Sequence, residues 1–376
     1  MRAAVEIDEY LPIAPRGKQF LAVDFKSAAL SFRQLIAGAE QFHQGLHRLL
    51  PVTDHLICEP CSVAALFRLG DDPGLIQVER MWRLFLILAS LVLSACQAPP
   101  SLPNIPDWQS PEGRGHLDLG MISDINSGQE LTPQQLAKRL ALAPRVLVGE
   151  QHDNPDHHAL QLWILQVLAD RRAQGSLLLE MIKPDQQASI DSVRAEIARS
   201  SYPADLPAAL NWQKGWDWAL YGPIVRYALG QPYPLLAANL NTDEILAIYQ
   251  QAPELQAGRS TQAGVRHQLL EQIRNSHCGL LPEDQFPAML AVQQQRDRRM
   301  AESLAAAPVP ALLFAGSFHV REDIGIPLHM ADLGVTEPPV VLLLAEVGSE
   351  IAPGSADYVW YTAALPKQDY CAQMRQ

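Results

Sequence analysis

Residues Arg145–Asp153, RVLVGEQHD, predict the first buried strand of this chain. Its apolar residues follow one another without alternation, which suits a strand buried on both faces of a parallel sheet. Glu150 and His152 follow at the end of the strand and, being two residues apart, point to the same side of an extended chain. Asn154 as a cap and Pro155 in the first turn then predict the start of a helix.

Further apolar runs repeat this pattern and are separated by helical stretches. The strand candidates are residues 176–181, 233–239, 311–316 and 340–346, with residues 357–362 as a final edge strand. Helical spacing of apolar residues covers 156–172, 243–251 and 285–306. Alternating strands and helices predict an α/β fold with a mostly parallel sheet flanked by helices.

Two long segments of the chain contain no strand candidate. Residues 186–230 and 243–306 are predicted to be helical insertions that pack together beside the sheet as a cap subdomain. A short stretch, residues 123–128, is predicted to form a small hairpin turn. The α/β domain then covers residues 115–350, and residues 351–376 form a C-terminal edge segment.

The composition narrows the classes of function. The chain has 376 residues, 48% of them hydrophobic, so that a large buried core can form. Its formal net charge of -12 argues against binding nucleic acid without regard to sequence, because such binding needs a basic face to offset the phosphates. The same charge argues against attachment to anionic lipid by charge alone.

Residues 81–96, MWRLFLILASLVLSAC, have the pattern of an export signal. One arginine precedes an apolar run that is too short to span a bilayer, and small residues follow it. The ending LSAC resembles a bacterial lipobox, in which Cys96 becomes the lipidated N-terminus after removal of residues 81–95. Gln97 in place of aspartate then implies delivery to the outer membrane, and residues 96–114, with five prolines, are predicted to be a lipidated tether.

Residues 1–80 precede this signal, although such a signal belongs at the start of a chain. We expect that Met81 is the true start and that residues 1–80 are a wrongly assigned extension. The alternative is a cytoplasmic extension followed by an internal anchor. Cys58 and Cys61 form a lone C-x-x-C, which is a weak sign of zinc or redox chemistry. Cys278 and Cys371 can pair in an oxidising compartment, but the sequence does not test their geometry.

Polar residues follow four of the predicted strands where each strand ends. In open α/β sheets ligands bind at this carboxyl edge. We therefore expect five residues to converge on a cleft there: Glu150, His152, Glu180, Asn239 and His319. Three uses remain open: two histidines and two glutamates can bind a divalent metal, they can act as acids and bases, or the five can form a polar network that joins the strand ends.

Four further polar residues, on the predicted helices, are candidates for positions near this cleft. His157 is predicted near the cleft edge, and His158 to face solvent or core. Arg296 and Asp297 lie on a long helix as part of a solvated face, or else pair with the cleft carboxylates.

Several motifs in a fixed order are similar to those of the ChaN-like family, the haem-binding uptake branch of the Tiki/TraB-type superfamily. The motifs are GEQHD, LEM, NW with WDWALYGP, HCG at 277–279, QRD with MA at 295–301, and GSFH at 316–319. The resemblance covers residues 115–350. It implies a lipoprotein of haem and iron uptake in which a dimer holds two haems face to face. A tyrosine then ligates each iron, and a histidine of the partner subunit assists.

The resemblance carries over to the haem residues only in part. His277 of the HCG motif matches the haem-linked histidine best, but no tyrosine lies between Tyr249 and His277. Tyr249, Tyr221, His267 or His277 is then the iron ligand, since both phenolate and imidazole bind haem iron. Trp212, Trp216 and Trp218 are expected to belong mainly to the hydrophobic core and only secondarily to the wall of a haem site.

Two functional hypotheses follow from these patterns. The first is a haem-binding protein whose partners are a lipid anchor, a second copy of the chain in a haem-induced homodimer, and an outer-membrane haem receptor. The second is a metal-dependent hydrolase that activates water at Glu150, His152, Glu180 and His319.

Overall fold

One mixed sheet of eight strands organises the chain. The computed structural model describes residues 102–374. The strands are β1 (Ile122–Asp124), β2 (Glu130–Leu131), β3 (Arg145–Glu150), β4 (Ser176–Leu179), β5 (Leu235–Ala237), β6 (Ala311–Gly316), β7 (Val340–Glu346) and β8 (Tyr358–Thr362). Their order across the sheet is β2-β1-β8-β7-β3-β6-β4-β5.

The sheet is mostly parallel, as the sequence predicted. All neighbours from β8 to β5 pair in parallel, whereas β1 pairs in antiparallel fashion with both β2 and β8. β1 and β2 form the hairpin expected near residues 123–128. The prediction that residues 357–362 form an edge strand is wrong, because the hairpin pairs with the outer side of β8.

Helices connect the strands and cover both faces of the sheet. They are α1 (Pro133–Leu142), α2 (Pro155–Ala169), α3 (Gln187–Ala198), α4 (Leu206–Ala209), α5 (Trp218–Leu229), α6 (Thr242–Gln251), α7 (Ala263–Ser276), α8 (Phe286–Ala306), α9 (Ser317–Val320), α10 (Ile326–Asp332) and α11 (Tyr370–Met374). α2 begins as predicted: the Asn154 side chain accepts a hydrogen bond of 2.9 Å from the backbone N–H of Asp156, and Pro155 occupies the first turn.

The strands are buried on both faces, and alternate residues enter two different cores. Val146 and Val148 of β3 pack with α1, α2, α3 and α5 on one face. Leu147 between them packs with α8 and α10 on the other face. All three side chains are completely buried, and replacing Leu147 by alanine would cost about 2–5 kcal/mol.

The two helical segments 186–230 and 243–306 do not pack together as one cap. α3 and α5 share the core of α2, whereas α6, α7 and the first half of α8 form a third cluster, a helical subdomain with its own core. The connection from β4 to β5 runs towards the edge of the sheet that β5 forms, whereas the connection from β5 to β6 runs back towards the centre of the sheet. Because such connections are right-handed, opposite directions place their helices on opposite faces.

The segment before β1 is attached to the domain over part of its length. The backbone N–H groups of Gln109 and Ser110 donate to the carboxylate of Asp156 at 2.5 and 3.0 Å, and Trp163 donates to the Pro103 carbonyl at 3.0 Å. The part of the predicted tether from residue 103 to residue 110 is therefore docked on α2. Two of these bonds satisfy the buried carboxylate of Asp156 in the first turn of α2.

The C-terminal segment is attached in two places. A disulfide joins Cys371 of α11 to Cys278, directly after α7, and the Tyr370 hydroxyl donates to the Asp153 carboxylate at 3.2 Å. The cysteine pair left open by the sequence is thus present. Cys58, Cys61, Cys96 and the predicted signal at 81–95 lie outside the described residues. Within residues 102–374 no helix has both the length and the apolar character to cross a membrane.

Candidate functional site

The five polar residues predicted at the strand ends lie at one edge of the sheet. Glu150 ends β3 and is in register with Gly316 of β6, while Glu180 follows β4 on the other side of β6. Asn239 and His319 follow β5 and β6. The parallel order β3-β6-β4-β5 brings these side chains together, as the sequence predicted.

Glu150 is the centre of the first half of this cluster. Its Oε1 accepts from the Tyr221 hydroxyl at 2.5 Å and from His152 Nδ1 at 2.9 Å. Its Oε2 accepts from Gln161 Nε2 at 2.5 Å, and His158 Nδ1 lies 3.5 Å away. Burial alone would raise the pKa of Glu150, but the charges of His158 and His152 and the Tyr221 hydrogen bond lower it below its ordinary value.

Glu180 and His319 form the second half. His319 Nε2 lies 3.2 Å from Glu180 Oε1, and His319 Nδ1 donates to Asp297 Oδ1 at 2.5 Å. Burial favours a neutral ring, yet the two carboxylates raise the pKa of His319 to about 10. Burial likewise raises the pKa of Glu180, but His319 and a hydrogen bond from the Gly316 N–H lower it well below its usual range. A charged imidazolium is therefore held between two carboxylates.

Gly316 allows the two halves to approach each other. A Cβ at this position would lie 2.9 Å from both Cε1 and Nε2 of His152 and 3.6 Å from the His319 ring. The charge of His152 also helps to lower the pKa of Glu180. The two histidine–carboxylate pairs thus belong to one cluster around β6.

Asn239 has a local structural role in this cluster. Its Nδ2 donates to the Glu180 carbonyl at 3.0 Å, and its Oδ1 accepts from the Leu240 N–H at 2.8 Å. The side chain therefore fixes the chain where β4 and β5 end.

The prediction of a divalent metal at Glu150, His152, Glu180 and His319 is not supported. Within the described part of the chain, no three histidine, cysteine, aspartate or glutamate side chains are grouped as metal ligands would be. Each histidine of the cluster faces a carboxylate directly, at 2.9 Å for His152 and 3.2 Å for His319. The two histidines thus pair with carboxylates instead of grouping around a common centre.

Tyr221 belongs to the cluster and not to an exposed ligand surface. It is 1% exposed, and its hydroxyl is bonded to Glu150. The Trp216 ring contacts it edge-on at 5.7 Å and contacts His152 at 5.0 Å. The tryptophan cluster is thus part of the core, as expected, and Tyr221 does not present its oxygen to a haem.

Other neighbours of the cluster come from helices α2 and α8. His158 is buried beside Glu150, which agrees with its assignment to core, and Gln161 lies one turn further along α2. His157 is completely buried, bonded to the Gln151 N–H and near the Thr362 hydroxyl, and burial lowers its pKa to about 3. Asp297 pairs with a histidine and not with the cleft carboxylates.

The histidines proposed for haem lie on α7 of the helical subdomain, away from the cluster. His277 ends this helix, is 6% exposed, and donates from Nδ1 to the Ile273 carbonyl at 2.7 Å. Its Nε2 has no hydrogen-bond partner among residues 102–374. His267 is exposed on the same helix, and Tyr249 of α6 packs against the third hydrophobic cluster.

A groove of about 390 Å³ runs along α7. One wall is the exposed face of α7, which includes His267, Glu271 and Asn275. The other wall includes Phe318 of α9 and the following Arg321 and Ile324. Its volume falls in the range of small-molecule sites, which is about 300–1,000 Å³.

Comparison with solved structures finds a chain that is similar in both sequence and fold. ChaN of Campylobacter jejuni, solved with cofacial haem binding, is 32% identical; the match covers 64% of this chain and 95% of that chain, with a TM-score of 0.59. A Bacillus cereus protein is 12% identical over 62% of this chain and 74% of that chain, with a TM-score of 0.34. The erythromycin esterase EreC is 13% identical over 67% and 85%, with a TM-score of 0.37. Both are too distant to bear on function.

Comparison with curated proteins found no significant match. The family described as "Haem-binding uptake, Tiki superfamily, ChaN" matches residues 136–330, which is more than half of the chain. This range includes the strand-end cluster from Glu150 to His319 and all of α7. The family match and the likeness to Campylobacter jejuni ChaN agree, and this chain belongs to the ChaN family of haem-binding uptake proteins.

Proposed function

We propose that this chain is a haem-binding lipoprotein that acts in haem uptake or trafficking at the cell envelope. It is anchored by lipid on Cys96 to the outer membrane, at the periplasmic face or the surface. Two copies form a dimer when haem binds, and an outer-membrane haem receptor is the natural partner. The observation that carries the proposal is the 32% identity to 95% of ChaN of Campylobacter jejuni, a protein that binds haem cofacially.

The residues of the helical subdomain fit a haem. A porphyrin needs an apolar slot, an iron ligand and cations for its two carboxylates, and when bound it supplies an iron centre that accepts an imidazole or phenolate. The groove beside α7 offers the His267 imidazole, the Phe318 ring and the Arg321 guanidinium. His277 offers an Nε2 that has no hydrogen-bond partner within the described residues 102–374, and its other nitrogen is fixed by a backbone carbonyl as in many metal-bound histidines.

The disulfide supports export from the cytoplasm. Cys278 and Cys371 are paired across 93 residues, and such bonds persist in oxidising compartments such as the periplasm. This agrees with the signal expected at residues 81–95 and with lipidation of Cys96.

The hydrolase alternative has less support. Its four residues engage one another at hydrogen-bond distances and do not form a metal-ligand group among residues 102–374. Haem binding needs none of them as ligands.

The proposal is tested by titrating the purified full chain with hemin and following absorbance. The Cys96→Ala variant keeps the protein free of lipid for this purpose. We expect a Soret band that shifts and saturates at about one hemin per chain. An unshifted spectrum at stoichiometric hemin would contradict the proposed function.

Anchoring and processing need a separate experiment. The full chain and its Cys96→Ser variant are expressed in a Gram-negative host with a labelled palmitate. We expect label only in the chain with Cys96, a membrane-bound product that starts at this residue, and no peptide from residues 20–80 in its mass spectrum. Equal labelling of both chains would overturn lipidation at Cys96. Peptides from residues 20–80 would overturn the expectation that the chain starts at Met81.

A further inference from the structure

We infer that His267 is the haem-iron ligand of this chain and that the groove between α7 and α9 seats the porphyrin. This inference rests on the proposed haem-binding function and identifies its site. No tyrosine occurs between Tyr249 and His277, so the α7 helix carries no phenolate. An iron ligand needs a donor atom that a haem can reach, and this requirement separates the four candidate residues.

His267 is the candidate with an accessible side chain in a groove. His267, Glu271 and Asn275 are spaced four residues apart, so they follow one another along a single face of α7. This face forms one wall of the groove of about 390 Å³. An imidazole exposed on a rigid helix can bind iron without displacing core residues.

The other candidates are less accessible to a haem seated in the groove. Tyr221 is buried and donates to Glu150 at 2.5 Å. Tyr249 packs on the third hydrophobic cluster. His277 is 6% exposed at the end of α7, next to the disulfide at Cys278, and does not line the groove.

The opposite wall has the chemistry that the rest of a haem requires. Phe318 offers an aromatic ring for the porphyrin, and Ile324 adds an apolar floor. The Arg321 guanidinium stacks 5.9 Å from the Phe318 ring centroid and bonds Asp323 through Nε and Nη2, at 2.8 and 2.6 Å. Its five N–H donors exceed the two used in this pair, so it can also bind a propionate carboxylate.

The acidic residue of the groove sets the direction of the propionates. Glu271 lines the α7 wall and has Arg274 at 3.9 Å on its own helix. A propionate beside Glu271 would be repelled, whereas one beside Arg321 would be attracted. The carboxylates of the porphyrin are therefore expected on the Arg321 side.

The test compares hemin binding by the full chain carrying Cys96→Ala with that of variants in the same background. His267→Ala is expected to weaken hemin binding at least tenfold and to change the position of the Soret band. His116→Ala, an exposed histidine outside the groove, is the matched control and should leave both unchanged. Because His267 is on an exposed helix face, alanine is expected to preserve the fold, which circular dichroism checks.

A second variant tests the assignment of His267 directly, because added imidazole can replace the missing ring. His267→Gly should lose the wild-type spectrum, and added imidazole should restore it by occupying the position of the missing ring. If wild-type protein binds hemin and His267→Ala binds equally well, the ligand assignment is overturned while the proposed function stands. The same holds if His277→Ala alone abolishes the spectrum. If wild-type protein fails to bind hemin, the proposed function itself is overturned.

Discussion

Phe318 and His319 are neighbours in α9 but their side chains face different environments. Phe318 lines the groove along α7, whereas His319 is 1% exposed and lies between Glu180 and Asp297 at 3.2 and 2.5 Å. The buried charges therefore hold the short helix that forms one wall of the groove. This relationship gives the strand-end cluster a role without any metal: it fixes the position of the proposed haem site.

Removing the charge of His319 should destabilise the protein strongly. In His319→Gln, Glu180 and Asp297 remain buried without the imidazolium between them, and losing one partner of a buried pair costs about 3–5 kcal/mol. Urea unfolding of both proteins measures the difference. Arg298→Ala removes an exposed ion pair with Glu302 on the same α8 and should cost only about 0.3–0.5 kcal/mol. Equal effects of the two substitutions would contradict this role of His319.

The same histidine predicts a loss of stability in alkali. The pKa of His319 is raised to about 10, above its unfolded value near 6.5, so its stabilisation is complete below about pH 6.5 and is lost as the pH rises through 10. The pKa of Glu180 is lowered, so its contribution is lost in acid. The free energy of unfolding, measured from pH 7 to 10.5, should fall more steeply for wild-type protein than for His319→Gln. Parallel curves would show that the imidazolium is not charged in the folded state.

Gly316 should not tolerate a side chain. A Cβ would lie 2.9 Å from two atoms of the His152 ring, and such overpacking typically costs about 1–3 kcal/mol. Gly316→Ala is therefore expected to unfold at lower urea. Gly264→Ala is the control: a Cβ there meets nothing within 4 Å, and alanine in the first turn of α7 should leave the stability equal or slightly higher. If both variants are stabilised, the close approach of His152 to β6 is wrong.

Reduction of the disulfide should weaken the whole domain. The bond between Cys278 and Cys371 closes a loop of 93 residues, and loop entropy assigns such a bond about 4–5 kcal/mol. The double variant Cys278→Ser with Cys371→Ser should unfold at lower urea and no longer respond to reductant. Wild-type protein in reductant should match the variant. Two reactive thiols in the unreduced folded protein would contradict the pairing.

Local patterns predicted much of this fold. The strands 145–150, 311–316 and 340–346 were predicted with their observed bounds, because they are apolar runs buried on both faces. Glu150, His152, Glu180, Asn239 and His319 followed from the rule that parallel strands end at one edge. The start of α2 followed from its cap and proline.

What could not be predicted depends on how distant elements pack. Tyr221, Gln161 and His158 reach Glu150 from two helices, and no spacing in the sequence connects α5 with β3. The cap prediction failed because crossover direction, which sets the face of each helix, requires the strand order. The groove is likewise invisible to sequence patterns, since its walls come from residues 267–276 and 318–324.

Sedimentation velocity of the full chain carrying Cys96→Ala can decide whether this chain binds haem in a dimer of facing sites. Boundaries are recorded at the protein and Soret wavelengths after one equivalent of hemin is added. We expect haem to sediment with protein at twice the mass of one chain, and protein without hemin to sediment more slowly. Haem that stays free of the protein boundary would contradict haem binding, and haem on a single chain would contradict the cofacial pair.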